Sequence, residues 1–339
     1  MNFSSDNTTG ACPEIIEAII RANQGSTSAY GEDKHTKKVT KMINDIFETA
    51  TEVFLVGTGT AANAIALSTL TKSYGSILCH WDSHIFEDEC GSPEFFTSGA
   101  KLIPLPGNLS KINLLELNQH SRRGRGDVHM VQPSAVSITQ LTEGGTAYSI
   151  NEIQKIGEIC SKSKIKLHMD GARFANALVT LGCTPAEMTW KSGVDVLSFG
   201  ATKNGALASE AVIFFDKQLA KEFEFRRKRG GHLFSKMRFL ACQMEAYLHN
   251  DLWIKNARHA NSMASHLQRE LKKVEKIKFS SPVDGNILFP KIPKHIRNKL
   301  LHDGFQFYDN RWGKDVTRLV TSFDTKKIYV QNFMSSIRK

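Results

Sequence analysis

Isoleucines at 15, 16, 19 and 20 recur four residues apart between Glu14 and Ala22, which predicts a helix with one apolar stripe. Pro13 suits its first turn. The polar, glycine-bearing stretch Gly25 to Thr36 reads as loop. Short apolar runs then alternate with helical segments. Val53 to Val56 predicts a buried strand, Gly57 to Thr60 a turn, and alanine-rich Ala61 to Thr69 a helix. Ser76 to Cys79 predicts a strand ending at His80. Asn151 is expected to cap a helix with Ile153, Ile156 and Ile159 on one face. Ile165 to Met169 predicts a strand ending at Asp170, and Val194 to Phe199 and Ala211 to Phe215 predict two more. Strands separated by helices predict an α/β fold, a mostly parallel sheet covered on both faces. From about 240 the pattern changes. A helical region over 238–274 leads to the short strands Asn286 to Phe289 and Val316 to Phe323. The expected division is residues 1–240, an N-terminal arm and large domain, and residues 241–339, a small C-terminal α+β domain.

The 339 residues are 41% hydrophobic and 23% charged, ordinary for a globular chain, which excludes wholesale disorder, collagen and coiled coil. No apolar run approaches twenty residues, so no membrane helix is expected. The start, Met1 to Asp6, has neither a basic nor an apolar leader segment. The six cysteines are scattered without a C-x-x-C pair, so free thiols and a cytoplasmic location are expected. The net charge of +10 permits nucleic acid as a partner. Residues 221–238 carry seven basic side chains against Glu222 and Glu224, yet no helix-turn-helix, RRM or zinc signature accompanies them. Solvated helix faces are the plainer reading, and no nucleic-acid partner is expected.

In parallel sheets, ligands bind at the carboxyl ends of the strands, so the residues just after each strand are informative. Gly57-Thr58-Gly59-Thr60 offers helix-start amides and hydroxyls suited to a phosphate, or a tight turn for packing. Asn63 stands where the dinucleotide fingerprint has its third glycine, which weakens an NAD-enzyme reading. His80 and His84 are four apart, but no third ligand stands at a recognisable spacing, so no metal is expected. Asp170 ends a strand, where it could act as a base, ligate a metal, pair with a ring nitrogen or bridge to Arg173. Arg173 is a natural bidentate partner for a substrate carboxylate. Lys203 lies in a loop of small residues, Gly200 to Gly205, that allows close approach to its amine and suits an imine-forming lysine. A phosphate cradle, a ring to stack, a carboxylate for a pyridine nitrogen and an imine-forming lysine are together what a pyridoxal phosphate enzyme needs.

The sequence resembles the low-specificity L-threonine aldolase family, in the β-eliminating-lyase group of aspartate-aminotransferase-like (fold type I) enzymes. The matching stretches are Ser5 to Thr9, Ala29 to Asp33, Gly57 to Asn63, Ser83 to Ile85, His168 to Arg173, Ser198 to Lys203, and Thr317 to Thr321. The resemblance implies pyridoxal 5'-phosphate as cofactor, bound as an imine to Lys203, with Asp170 at the pyridine nitrogen and His84 over the ring. Gly59 and Thr60 are implied to hold the phosphate, with Arg238 reaching in from a neighbouring subunit. Ser5, Arg173 and Arg318 are implied to grip the substrate carboxylate, and Tyr30 to lie near the site, from the partner chain of a homodimer or homotetramer. The implied reaction is retro-aldol cleavage of L-threonine or L-allo-threonine. The alternative is β-elimination, or an aldolase for another β-hydroxy amino acid. One stretch departs from the family. Thr142, in Thr139-Gln140-Leu141-Thr142-Glu143, aligns with a histidine near the substrate hydroxyl. The acceptor of the hydroxyl proton is then open among His84, Glu89 through water, and an ordered water.

Overall fold

The computed structural model describes residues 1–338. The isoleucine stripe forms helix α1 (Pro13–Ala22), which buries Ile15 and Ala18. Helix α2 (Lys34–Phe47) follows, so the expected loop ends early, at Asp33. The Asp33 carboxylate accepts the amides of His35 and Thr36 at 2.9 and 3.0 Å. The charged start of α2 hid a sparse stripe, Val39, Ile43 and Phe47, all fully buried. A capped end and one apolar face are enough once tertiary packing covers them.

Seven strands build the main sheet: β1 (Glu52–Val56), β2 (Gly75–His80), β3 (Lys101–Leu105), β4 (Gln132–Thr139), β5 (Lys166–Gly171), β6 (Val196–Gly200) and β7 (Glu210–Phe214). Their order is β1-β7-β6-β5-β4-β2-β3. The β3–β2, β2–β4, β4–β5 and β5–β6 pairings are parallel, as the strand–helix alternation predicts. The β6–β7 and β7–β1 pairings are antiparallel. The segment between β6 and β7 holds only a single 3-10 turn, too short for the crossover a parallel pair needs. Two reversals in succession leave β1 running in the same sense as β6. The ends of β1, β2, β4, β5 and β6 therefore share one edge of the sheet.

The hydrophobic pattern did not predict β3 and β4. Pro104 interrupts β3, which lies at the sheet edge where proline is tolerated. Pro133, Ser134 and Ser137 dilute the apolar signal of β4. Ser149, rather than Asn151, caps helix Ile150–Ser163. Its hydroxyl accepts the Glu152 amide, and the Glu152 carboxylate accepts the Ser149 amide. The expected continuous helix over 238–274 breaks between Arg238–Leu248 and Leu252–Leu271, where Asn250 and Asp251 take left-handed backbone, φ 50° and 56°. The first part packs on α1 and α2. One apolar core runs from Cys12 to Ala257. A second gathers Ala264, Leu267 and Leu271 with the C-terminal segments and Phe3.

Among the described residues no helix is long and apolar enough to cross a membrane. Two members of the basic run 221–238 are engaged within the fold. Arg226 pairs with Glu222 at 2.8 Å. Arg227 is buried, donates to the Leu55 carbonyl at 3.3 Å and lies over the Phe54 ring.

Candidate active site

At the shared edge of the sheet two chambers adjoin. The inner one, about 330 Å³, is faced by Gly59, Thr60, His84, Asp170 and Lys203. Asp170 is the next-to-last residue of β5, where its carboxylate accepts the Ala172 amide at 3.0 Å and a hydrogen bond from Asn63 Nδ2 at 2.9 Å. The same Asn63 nitrogen donates to Glu89 Oε1 at 2.9 Å, and that oxygen also meets His84 Nδ1 at 2.9 Å. A chain of hydrogen bonds thus ties Asp170 to the His84 ring. Contact with Glu89 raises the His84 pKa, against a smaller opposing effect of burial. Burial raises the Glu89 pKa. Two residues back along β5, His168 is buried between the hydroxyls of Ser137 and Ser198, 2.9 Å from each, and burial lowers its pKa to about 4. It is a neutral strut between strands.

Lys203 stands in a 3-10 turn, Thr202–Asn204, directly after β6. Asn204 anchors this turn by donating to Tyr247 Oη at 2.7 Å and the Trp253 carbonyl at 2.8 Å. Gly200 lets β6 approach the segment after Asp170, since a Cβ there would lie 2.7 Å from the Ala172 carbonyl oxygen. The buried Glu210, at the start of β7, accepts the Ala201 amide at 2.8 Å. Burial pushes its pKa up to about 7, despite hydrogen bonds from Thr202 and Ala201 and the nearby Lys203 charge.

Helix α3 (Gly59–Leu70) begins at the chamber wall. The Thr58 hydroxyl accepts the Ala61 amide at 3.1 Å, leaving the Gly59 and Thr60 amides without acceptors among the described residues. A Cβ at Gly59 would meet nothing within 4 Å, so open space lies before it.

The outer chamber, about 280 Å³, is bordered by Ser5, Arg173 and Arg318. Arg173 is buried, and its Nε and Nη2 reach the two carboxylate oxygens of Asp6 at 2.8 and 3.0 Å. The bridge to Asp170 open at the sequence level is therefore made to Asp6 instead. Arg318 donates from Nη1 to the Ser4 carbonyl at 3.1 Å, its Nε is buried without a partner, and its guanidinium lies over Trp312. Neither Tyr30 nor Arg238 borders a chamber of its own chain. Tyr30 is exposed, with its amide bonded to the Ser235 carbonyl, and Arg238 donates to the Gly25 carbonyl at 3.1 Å. His80 accepts the Asp82 amide on Nδ1, and among the described residues no group of three or more metal-ligating side chains assembles.

The model of the β-eliminating lyase family matches residues 2–292. The chain belongs to that family. Among its relatives, a low-specificity L-threonine aldolase of Pseudomonas sp. is 40% identical over 336 residues, 99% of this chain and 96% of the other. A solved threonine aldolase of Leishmania major superposes with a TM-score of 0.93 at 28% identity, covering 99% of this chain and 98% of that one. Cystalysin of Treponema denticola, solved with pyridoxal 5'-phosphate, shares the fold at a TM-score of 0.76 and 14% identity, over 99% and 90% of the two chains. This member of the β-eliminating lyase family therefore has the expected fold type I architecture, and the cofactor expected from the sequence, pyridoxal 5'-phosphate, follows from its membership.

The residues present fit that cofactor. The inner chamber offers acceptor-free amides at a helix start for a phosphate, a carboxylate, an imidazole and an amine. Its wall also holds buried polar atoms without partners, Asn63 Oδ1 and Glu89 Oε2. Three side chains around these chambers are not expected from the sequence. Asp6, although it lies in the matching stretch Ser5 to Thr9, and Glu210 have no local signal for their roles, and Glu143, noted only as the neighbour of Thr142, borders both chambers after the unpredicted strand β4.

Glu210 yields a pH prediction. Its folded pKa of about 7 lies above the ordinary carboxylate value, so its neutral form favours the fold. That contribution is complete below the unfolded pKa and is lost as pH rises through about 7. In the cofactor-free protein, Glu210→Gln is expected to be more stable than wild type at pH 8 by roughly 1–3 kcal/mol and equal to it near pH 4. Denaturant titrations of both proteins at the two pH values check this, and a gain of equal size at both would contradict it.

Proposed function

We propose that the protein cleaves L-threonine and L-allo-threonine to glycine and acetaldehyde by a retro-aldol reaction. The observation that carries this reading is the junction of the two chambers, one with Lys203 and Asp170 and the other with Arg173, Arg311 and Arg318. Bound pyridoxal 5'-phosphate supplies an electron sink for the pair left on Cα. In this proposal Lys203 holds the cofactor covalently and Asp170 holds a proton on its ring nitrogen. Asn63 orients Asp170, and His84 lies against the ring. The Gly59 and Thr60 amides take the phosphate, with Arg238 of a second copy. Ser5, Arg173 and Arg318 fix the substrate carboxylate, and Tyr30 of the second copy completes the pocket. That arrangement makes the active assembly a homodimer or homotetramer, in the cytoplasm. Fixing the carboxylate and the amine leaves the Cα–Cβ bond one rotational choice, which is how orientation lowers the barrier.

A large cofactor-binding part and a small C-terminal part belong to the same proposal. The two apolar cores support it, although they change over between Ala257 and Ala264 rather than near 240.

Supplying L-threonine, L-allo-threonine and L-serine separately tests the reading. Equal amounts of acetaldehyde and glycine are expected from the two threonines. Pyruvate from serine, with no acetaldehyde from either threonine, would establish β-elimination instead.

A further inference from the structure

Four residues border both chambers: Asn7, His84, Glu143 and Lys203. On the reading proposed here, a substrate has its amine toward Lys203 and its carboxylate toward Arg173 and Arg318. Its Cα then sits at this neck, and the β-hydroxyl lies two bonds from it. Whatever takes the hydroxyl proton must reach the neck. Thr142 cannot. It is buried, and its hydroxyl is bonded to Thr146 Oγ1 at 2.9 Å within a turn closed by the Gly145 amide on the Thr142 carbonyl. That turn carries the next residue, Glu143, half-buried, to the neck.

The other neck residues are poorer acceptors. The Asn7 amide is not basic. In this reading Lys203 exchanges places with the substrate amine on the cofactor, so its amine is engaged at that end of the substrate. His84 spends Nδ1 on Glu89, whose contact keeps the ring protonated to higher pH. Glu89 lies in the inner chamber alone, and its Oε1 is shared by Asn63 and His84. Glu143 differs. Arg173 is taken by Asp6 and Arg311 by Asp88, and Glu143 itself accepts no hydrogen bond and forms no ion pair among the described residues. Its charge is felt at His84, Arg173, Arg311 and Arg318, which places it among the groups that would surround the substrate.

We propose that Glu143 is the catalytic base for the β-hydroxyl. The hydroxyl proton passes to a Glu143 carboxylate oxygen, and the O–H pair becomes the second C–O bond of the aldehyde. The Cα–Cβ bond breaks with its pair left on Cα. Glu143 then releases its proton to solvent, and solvent supplies one at Cα to complete glycine.

The test uses holoenzyme with Glu143→Gln and Glu143→Ala. It compares threonine cleavage with deuterium exchange at Cα of glycine, which has no β-hydroxyl, and with glycine Kd and cofactor content. Glu143→Gln is expected to lower kcat for threonine by roughly 10²–10³-fold, as for loss of a general base. Exchange, glycine Kd and cofactor content should stay within about threefold, and formate should partly restore cleavage to Glu143→Ala. Cleavage retained within about threefold would overturn the assignment, and so would cleavage and exchange falling together. Loss of cofactor from both variants would also overturn it, by showing a structural role. Wild-type protein that makes no acetaldehyde from threonine would instead count against the proposed function.

Discussion

Lys203→Ala is expected to lose threonine cleavage by on the order of 10⁴-fold or more, because covalent attachment and a positioned amine disappear together. The reason lies in the turn as much as in the lysine. Asn204 is pinned to Tyr247 and Trp253, and Glu210 pins Ala201, so the backbone on both sides of position 203 is fixed. Among the described residues no other lysine borders either chamber, so none of them supplies a replacement amine. Borohydride reduction of the wild-type holoenzyme followed by peptide mass mapping should place the cofactor mass on the peptide containing Lys203 and nowhere else. Label on another lysine, or cleavage by Lys203→Ala at a wild-type rate, would refute the role given to this residue.

Asp6→Asn is expected to be the most damaging conservative substitution for stability, costing about 3–5 kcal/mol. Asp6 and Arg173 are each nearly fully buried, and Asn286 donates to the same Asp6 oxygen as Arg173 Nε, at 3.0 Å. An asparagine would leave a buried guanidinium without its counter-charge and turn an amide N–H toward existing donors. Burial alone would raise the Asp6 pKa, but the charges of Arg173 and Lys203 and the hydrogen bonds outweigh it, and the pKa is lowered. The sign follows: a depressed folded pKa gives stability that is present above the ordinary carboxylate value and is lost as pH falls through the folded value. Wild type should therefore lose stability in acid more steeply than Asp6→Asn. Denaturant midpoints of both proteins from pH 7 down to acid check this, and parallel curves would defeat it.

Short apolar runs with small or polar residues after them marked β1, β2, β5 and β6, and with them Gly59, Thr60, His84, Asp170 and Lys203. The chemistry of those residues was legible because each sits where a buried run ends. β4 was not legible, since its serines and proline break the apolar pattern although parallel neighbours cover it on both sides. Without β4 as an expected strand, Glu143 stands in the sequence only as the neighbour of Thr142 and not as a residue beyond a strand end. The break at Asn250 and Asp251 left no trace either, because the segments around it are both strongly helical.

The alternation of strands and helices, the Gly-Thr helix start and the placing of Asp170 and Lys203 at or just after strand ends were determined by local sequence, through buried runs, turn residues and side-chain chemistry. Tertiary structure alone decided that Asp6, 167 residues from Arg173 along the chain, neutralises it, and that Glu210 lies beneath the lysine turn. It also decided that Glu143 borders the neck between the chambers. Such contacts depend on strand order and on the return of distant segments to one sheet edge, and no periodicity within a single segment encodes them.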